Sequence, residues 1–101
     1  MAVIHIEKQK EDGTKLDIRI CHSDDMFWID DIGVKTKGKR KFTYVCNDFR
    51  NDYTYRGLDH AGQNQMKLEK LLEVCGVVMM KEALEEAWMK LKPTKIKVSY
   101  R

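Results

Sequence analysis

Two runs of alternating apolar residues on either side of Glu11-Asp12-Gly13 constrain the fold more than any other feature. The residues of matching parity in these runs are Ile4, Ile6, Leu16, Ile18 and Ile20. A two-residue turn would place Ile6 opposite Arg19 and split the apolar face, because a one-residue slip turns every side chain over. A three-residue loop places Ile6 opposite Ile18 and puts Gly13 last, where a left-handed residue is needed. The sequence therefore predicts an antiparallel hairpin in this register.

A second hairpin is predicted by the same argument around the basic sequence KTKGKRK, residues 35–41. A Thr36-Lys37-Gly38 loop would set Ile32 opposite Phe42 and again place glycine last. The four predicted strands are about 2–9, 15–22, 26–35 and 39–47. Their inward face would carry Ile4, Ile6, Leu16, Ile18, Ile20, Trp28, Ile32, Phe42 and Tyr44. Asp30 shares this parity and is interpreted as a bulge or a carboxylate at the sheet margin.

Residues 59–92 have a helical pattern, but their apolar positions form two stripes that point in different directions. One straight helix cannot bury both stripes against one sheet. We therefore expect a break at Gly76 and two helices, about 64–75 and 78–92. The alternative is one helix that is buried all round in a dimer. The alternation of residues 94–101 after Pro93 predicts a fifth strand.

These elements make an α+β domain that spans 1–101: a four-stranded antiparallel meander of two β-hairpins, one or two helices packed on one face, and a C-terminal fifth strand. A chain of 101 residues with 43% hydrophobic composition suits one core. There is no apolar stretch of membrane-spanning length and no signal-peptide pattern, so we expect no membrane association and a cytoplasmic location.

Motifs of enzymes, metal sites and cofactor sites are absent from the sequence. Three widely spaced cysteines, Cys21, Cys46 and Cys75, contain no CxxC pair and predict free thiols. We therefore expect a non-enzymatic protein without metal or cofactor. An enzyme with unrecognised chemistry is a further alternative, since a histidine can approach a thiol after folding.

Basic residues cluster in the second hairpin, and the segment that follows it interleaves arginines with tyrosines. The candidate binding residues are Lys35, Lys37, Lys39, Arg40, Lys41, Arg50, Tyr53, Tyr55 and Arg56. Lysines and arginines neutralise phosphates, and aromatic rings stack on bases. The sequence therefore predicts a small nucleic-acid-binding protein, or one that binds another anionic surface.

Each part of this pattern also has a simpler interpretation. Lysines on an outer strand protect a sheet edge from pairing with other chains. The aromatics of the following segment can close the open end of the core. Tyrosine and arginine are also enriched at protein interfaces, so a protein-interaction module, whether inhibitor, adaptor or homo-oligomeric subunit, is the alternative function.

Overall fold

The computed structural model describes residues 2–23, 26–50 and 52–99, with side chains described for these residues except 48, 50 and 92–99. It is an α+β domain with a four-stranded antiparallel sheet in the order β1-β2-β3-β4. Its elements are β1 (Ala2–Gln9), β2 (Lys15–Ser23), β3 (Met26–Lys35), β4 (Thr43–Tyr44), α1 (Asn47–Arg50), α2 (Tyr53–Arg56) and α3 (His60–Ser99).

The first hairpin is confirmed in its register. Ile6 pairs with Ile18 and Ile4 pairs with Ile20, as the common apolar face requires. The loop has three residues, and Gly13 adopts a φ of 91°, in the region that only glycine enters without strain. The local sequence is therefore sufficient to determine this hairpin.

The second hairpin differs from its prediction. Gly38 does have a positive φ of 90°, but β4 has only two residues, and Tyr44 pairs with Gly33. The predicted strand 39–47 and the pairing of Ile32 with Phe42 are therefore wrong. The backbone N–H of Val45 donates to the carbonyl of Ile32 instead, at 3.0 Å.

The two rings of this region lie on the face of the sheet opposite the helix. A side chain built on Gly33 would meet the Tyr44 ring at 3.0 Å and the Phe42 ring at 3.2 Å, and the Tyr44 hydroxyl donates to Asp17. Phe42 and Tyr44 were predicted to face the helix-side core, which is wrong. Gly33 has no side chain, so it leaves a space on the outer face that the two rings cover.

A β-bulge in β3 changes the faces of the residues before it. Arg19 pairs with Asp31 while Ile20 pairs with Ile29, so Asp30 is the extra residue, as predicted. Because of this extra residue, each residue that precedes it in β3 lies on the opposite face of the sheet from the one that simple alternation predicts. Ile29 is consequently buried in the core, and Trp28 lies opposite Cys21 on the outer face, contrary to its predicted inward position.

Helix α3 is broken at Gly76, which confirms the predicted break. Gly76 has φ 81° and ψ 166°, a conformation found almost only in glycine. Two helical segments result, 60–75 and 77–99. The predicted fifth strand is not seen, since the described backbone remains helical to Ser99. Tyr100 and Arg101 lie outside the described residues.

The core lies between the sheet and α3. It contains Ile6, Leu16, Ile18, Ile20, Ile29, Ile32, Cys46, Leu71, Ala83 and Ala87. Small residues at 83 and 87 bring the second helical segment close to the sheet, because alanine allows close backbone approach. The larger apolar side chains of that segment are left at its sides and on its outer surface.

Candidate functional site

The basic loop, residues 35–41, leaves the sheet at the end of β3 and returns at β4. A turn closed by the Lys39 N–H and the Thr36 carbonyl, 3.0 Å apart, forms its tip. Residues 36–41 are all exposed, and Lys35 is half-buried with its Nζ 5.1 Å from the centre of the Phe42 ring. Four of the five predicted basic residues of the hairpin therefore lie on one surface loop rather than on a strand, and Lys35 lies next to them as the last residue of β3.

The cations of the basic loop have no carboxylate partner among the side chains that the structure describes. Within residues 35–41, all of which the structure describes, no lysine or arginine forms an ion pair. Three other cations do lie 2.9, 3.7 and 3.5 Å from carboxylates: Lys8 from Glu86, Arg19 from Asp30 and Lys70 from Glu73. The charge of the basic loop is therefore not neutralised by any described carboxylate.

A cleft of about 440 Å³ adjoins the basic loop on one side. Lys39, Arg40 and Lys41 line it, together with the hydroxyl-bearing Thr36 and Thr43 and the side of Val34. Consecutive cations beside hydroxyl donors are the groups that bind phosphate oxygens in protein–nucleic-acid complexes. The shape and chemistry of this cleft suit an anionic group.

A second cleft, of about 410 Å³, lies between the basic loop and the turn of the first hairpin. It brings in Lys15, which pairs with Lys35 across β2 and β3 and which the sequence argument missed. No register between β2 and β3 was predicted, and the bulge in β3 shifts that register, so the sequence alone did not place Lys15 beside Lys35. Glu11 and Asp12 line the same cleft, so positive charge is weaker on this side.

The segment 47–56 folds into the short helices α1 and α2 instead of an open loop. The Phe49 and Tyr55 rings meet edge to face with centroids 5.1 Å apart, and Tyr55 is 7% exposed. Both rings therefore contribute to packing, and the faces of Tyr55 are not accessible for base stacking. Tyr53 is 89% exposed and Arg56 is exposed, so these two remain available to a partner. The Arg50 side chain lies outside the described part of the chain.

A polar network that the sequence did not suggest connects three strands on the outer face. Asp17 Oδ1 lies 2.8 Å from His5 Nδ1, and Asp17 Oδ2 accepts the Tyr44 hydroxyl at 3.0 Å. The Arg19 guanidinium lies 5.8 Å from the centre of the Tyr44 ring. The hydrogen bond to Asp17 raises the pKa of Tyr44, because ionisation would place a phenolate beside a carboxylate. This network fixes β4 to the first hairpin.

Apolar residues line an open groove of about 500 Å³ between the start of β3 and the second segment of α3. Its lining residues are Phe27, Val77, Met80, Lys81, Leu84, Glu85 and Trp88. Residues of the second apolar stripe that the helical pattern predicted line this groove. The stripe lies beside the sheet, and the sheet covers only part of it.

The described residues show little that resembles a catalytic or metal centre. No group of three or more histidine, cysteine or acidic side chains among them is arranged to hold a metal ion. The three cysteines are free, and burial raises the pKa of the Cys21 and Cys75 thiols, which keeps them protonated and weakly nucleophilic at neutral pH. Across the described helices, none is both long and apolar enough to cross a membrane.

Comparison of the chain with family models, with curated proteins and with solved structures gives no match.

Proposed function

We propose that this protein is a non-enzymatic module that binds single-stranded or structured nucleic acid through its phosphate backbone. The basic loop and its cleft at Lys39, Arg40 and Lys41 would make the phosphate contacts. Tyr53 and Arg56 would add contacts from α2. The cytoplasmic location stays a prediction from the sequence.

One observation carries this proposal: five cations lie close together at the end of β3 and on the loop that follows it, and no described carboxylate pairs with any of them. Like charges held close together repel one another, and this arrangement is relieved by an anionic partner. Protection of a sheet edge does not require so many basic residues here, because β4 has only two residues and four of the five basic residues lie in the loop before it. Phosphate contacts position a nucleic acid without reading its sequence, so we expect weak base preference.

The test is the binding of a fluorescently labelled single strand of about 20 nucleotides, measured by anisotropy across a salt series. Released counterions make the logarithm of the binding constant fall by about 0.7 per phosphate contact for each logarithmic unit of salt. Two cations fewer should therefore reduce this slope by about 1.4. We expect that reduction in the double variant Lys39→Gln/Lys41→Gln.

The matched control is Lys67→Gln/Lys70→Gln on α3, which removes the same charge from a different surface. We expect its salt slope to equal that of the unmodified protein. Equal slopes for both double variants would show that only net charge matters and would reject the basic loop as the site. Absence of binding by the unmodified protein at low salt would reject nucleic acid as the partner.

A further inference from the structure

The outer surface of the second segment of α3 has an exposed apolar pair at each end and opposite charges between them. Val77 and Val78 are 63% and 71% exposed, and Trp88 and Met89 are 43% and 60% exposed. The two pairs are 11 residues apart, which is about three helical turns, so they share one side of the helix. Residues 81 and 85, one turn apart between them, are also exposed. We call this surface the 77–89 face.

The pattern of the 77–89 face is symmetric about position 83. Positions 77 and 89 lie equally far from it, as do 78 and 88, and all four carry apolar side chains. Positions 81 and 85 also lie equally far from it, and they carry the opposite charges of Lys81 and Glu85. A two-fold axis relates a surface to itself, so residue i of one copy meets residue j of the other and the reverse.

We propose that the 77–89 face binds a second copy of this chain, with the two helical segments antiparallel about a two-fold axis at the level of residue 83. Val77 and Val78 of each copy pack against Met89 and Trp88 of the other. Lys81 of each copy meets Glu85 of the other, which makes two equivalent ion pairs. Glu82 lies at the margin of the face, away from this seam.

Charge complementarity selects a second copy over an unrelated partner. In a parallel arrangement, each lysine would meet a lysine and each glutamate a glutamate, which like-charge repulsion disfavours. In the antiparallel arrangement, the same residues become complementary without any change in sequence. The neighbouring groove at Phe27, Met80 and Leu84 continues the apolar surface, so the partner's Trp88 has apolar neighbours beyond the helix itself.

The break at Gly76 makes this surface available. If the helix were continuous, the 77–89 face would lie on the same side as Leu71 of the first segment. Leu71 is fully buried in the core, so this face would also be directed toward the core. The change of direction at Gly76 lets Ala83 and Ala87 face the sheet, and the opposite side of the segment faces outward. None of the residues of the 77–89 face belongs to the basic loop, so this inference is independent of the proposed function.

Sedimentation equilibrium with a thiol reductant tests the proposal. We expect the average mass to rise from 11.9 kDa toward twice that value as protein concentration increases from about 10 μM to about 1 mM. The variant Lys81→Glu places two glutamates opposite each other in both contacts and should weaken dimerisation at least about tenfold. The swapped variant Lys81→Glu/Glu85→Lys restores both ion pairs and should return the dissociation constant to within about threefold of the original.

The control variant is Glu69→Lys, a charge reversal at an exposed position of the first segment, and it should leave the dissociation constant unchanged. Circular dichroism confirms that each variant keeps its helix content. A single mass of 11.9 kDa up to about 1 mM would overturn the proposal. So would a dimer that Lys81→Glu does not weaken, or a weakened one that the swap does not restore, because either result excludes the antiparallel contact.

Discussion

The two hairpins of this protein begin from the same loop chemistry and end in different structures. Each has a three-residue loop sequence that ends in glycine, and the two glycines, Gly13 and Gly38, have nearly identical φ values of 91° and 90°. The first loop joins two strands that form eight residue pairs, whereas β3 and β4 form only two pairs. A glycine in the correct loop position therefore does not by itself extend a ladder.

The difference lies in what determines each register. The first hairpin has apolar residues at matching positions on both strands, so its local register also buries the core face. The register of β4 is set by groups that are distant in sequence. The Cys46 N–H donates to Asp31 Oδ1 at 3.1 Å, and the Tyr44 hydroxyl donates to Asp17 at 3.0 Å. These contacts leave 36–42 outside the ladder, which is why the basic loop is a loop.

The largest expected effect tests the anchor of the second hairpin. Asp31 is 4% exposed, and its Oδ1 accepts from both the Ile32 and the Cys46 N–H groups. Asp31→Ala should lower the free energy of unfolding by about 3 kcal/mol, because buried N–H groups lose their acceptor. Urea denaturation measures this loss. Asp12→Ala, which removes one hydrogen bond to Thr14 in the exposed first turn, should cost much less. Equal losses would contradict the conclusion that the second hairpin depends on a contact between distant residues more than the first hairpin depends on its turn.

A loss of stability of intermediate size is expected from substitutions that compare the two loop glycines directly. Gly13→Ala should cost about 1–2 kcal/mol, because the flanking ladder holds this residue in the left-handed region. The added methyl group would also lie 3.2 Å from the Lys37 side chain. Gly38→Ala meets no atom within 4 Å, and its loop lies outside any ladder, so the loop can relax. We expect a smaller loss for Gly38→Ala, of about 1 kcal/mol, because only the strain of its positive φ remains, with thermal and urea unfolding as the measurements.

If Gly38→Ala lowers the free energy of unfolding as much as Gly13→Ala does, the basic loop is as rigid as the first turn. That result would contradict the difference between the two hairpins. Amide hydrogen exchange provides a second measurement. The Gly13 N–H, bonded to the Lys10 carbonyl at 3.0 Å, should exchange more slowly than the Lys39 N–H of the basic loop.

The smallest expected effect concerns the contact between the hairpins and depends on pH. Tyr44→Phe removes the hydrogen bond to Asp17 and should cost about 1 kcal/mol at pH 7. The pKa of Tyr44 is raised in the folded protein, so this stabilisation is fully present below the unfolded pKa of about 10. It is lost as the pH rises through the higher folded pKa.

The measurement for this contact is the difference in the free energy of unfolding between the unmodified protein and Tyr44→Phe from pH 7 to pH 11. The other tyrosines are common to both proteins, so their titration cancels in the difference. Tyr44→Phe keeps the ring over Gly33, so the packing of the ring is the same in both proteins. A difference that does not change with pH would show that the hydrogen bond to Asp17 is not the source of the loss.

The candidate site could be predicted in composition but not in geometry. The five basic residues of the hairpin all lie within residues 35–41, so their clustering on one part of the surface follows from the chain itself. Tyr55 was grouped with them because it alternates with arginines. Its burial against Phe49 follows from α1 and α2, which have only four residues each and no repeating pattern to predict them. The His5 and Asp17 contact was also not predicted, because the two residues are diagonal neighbours in the hairpin and His5 lies directly opposite Arg19.

The sequence by itself determined the first hairpin. It predicted a break at Gly76, with one helix buried all round as the alternative, and it interpreted Asp30 as a bulge or a carboxylate at the sheet margin. Each depends on a local pattern, namely matched parity, an inserted residue or a glycine conformation. Only the tertiary structure decided the short β4, the outward rings of Phe42 and Tyr44, and the side of α3 that remains exposed. These depend on hydrogen bonds and close packing between residues far apart in the chain, and the order of apolar and polar residues does not specify them.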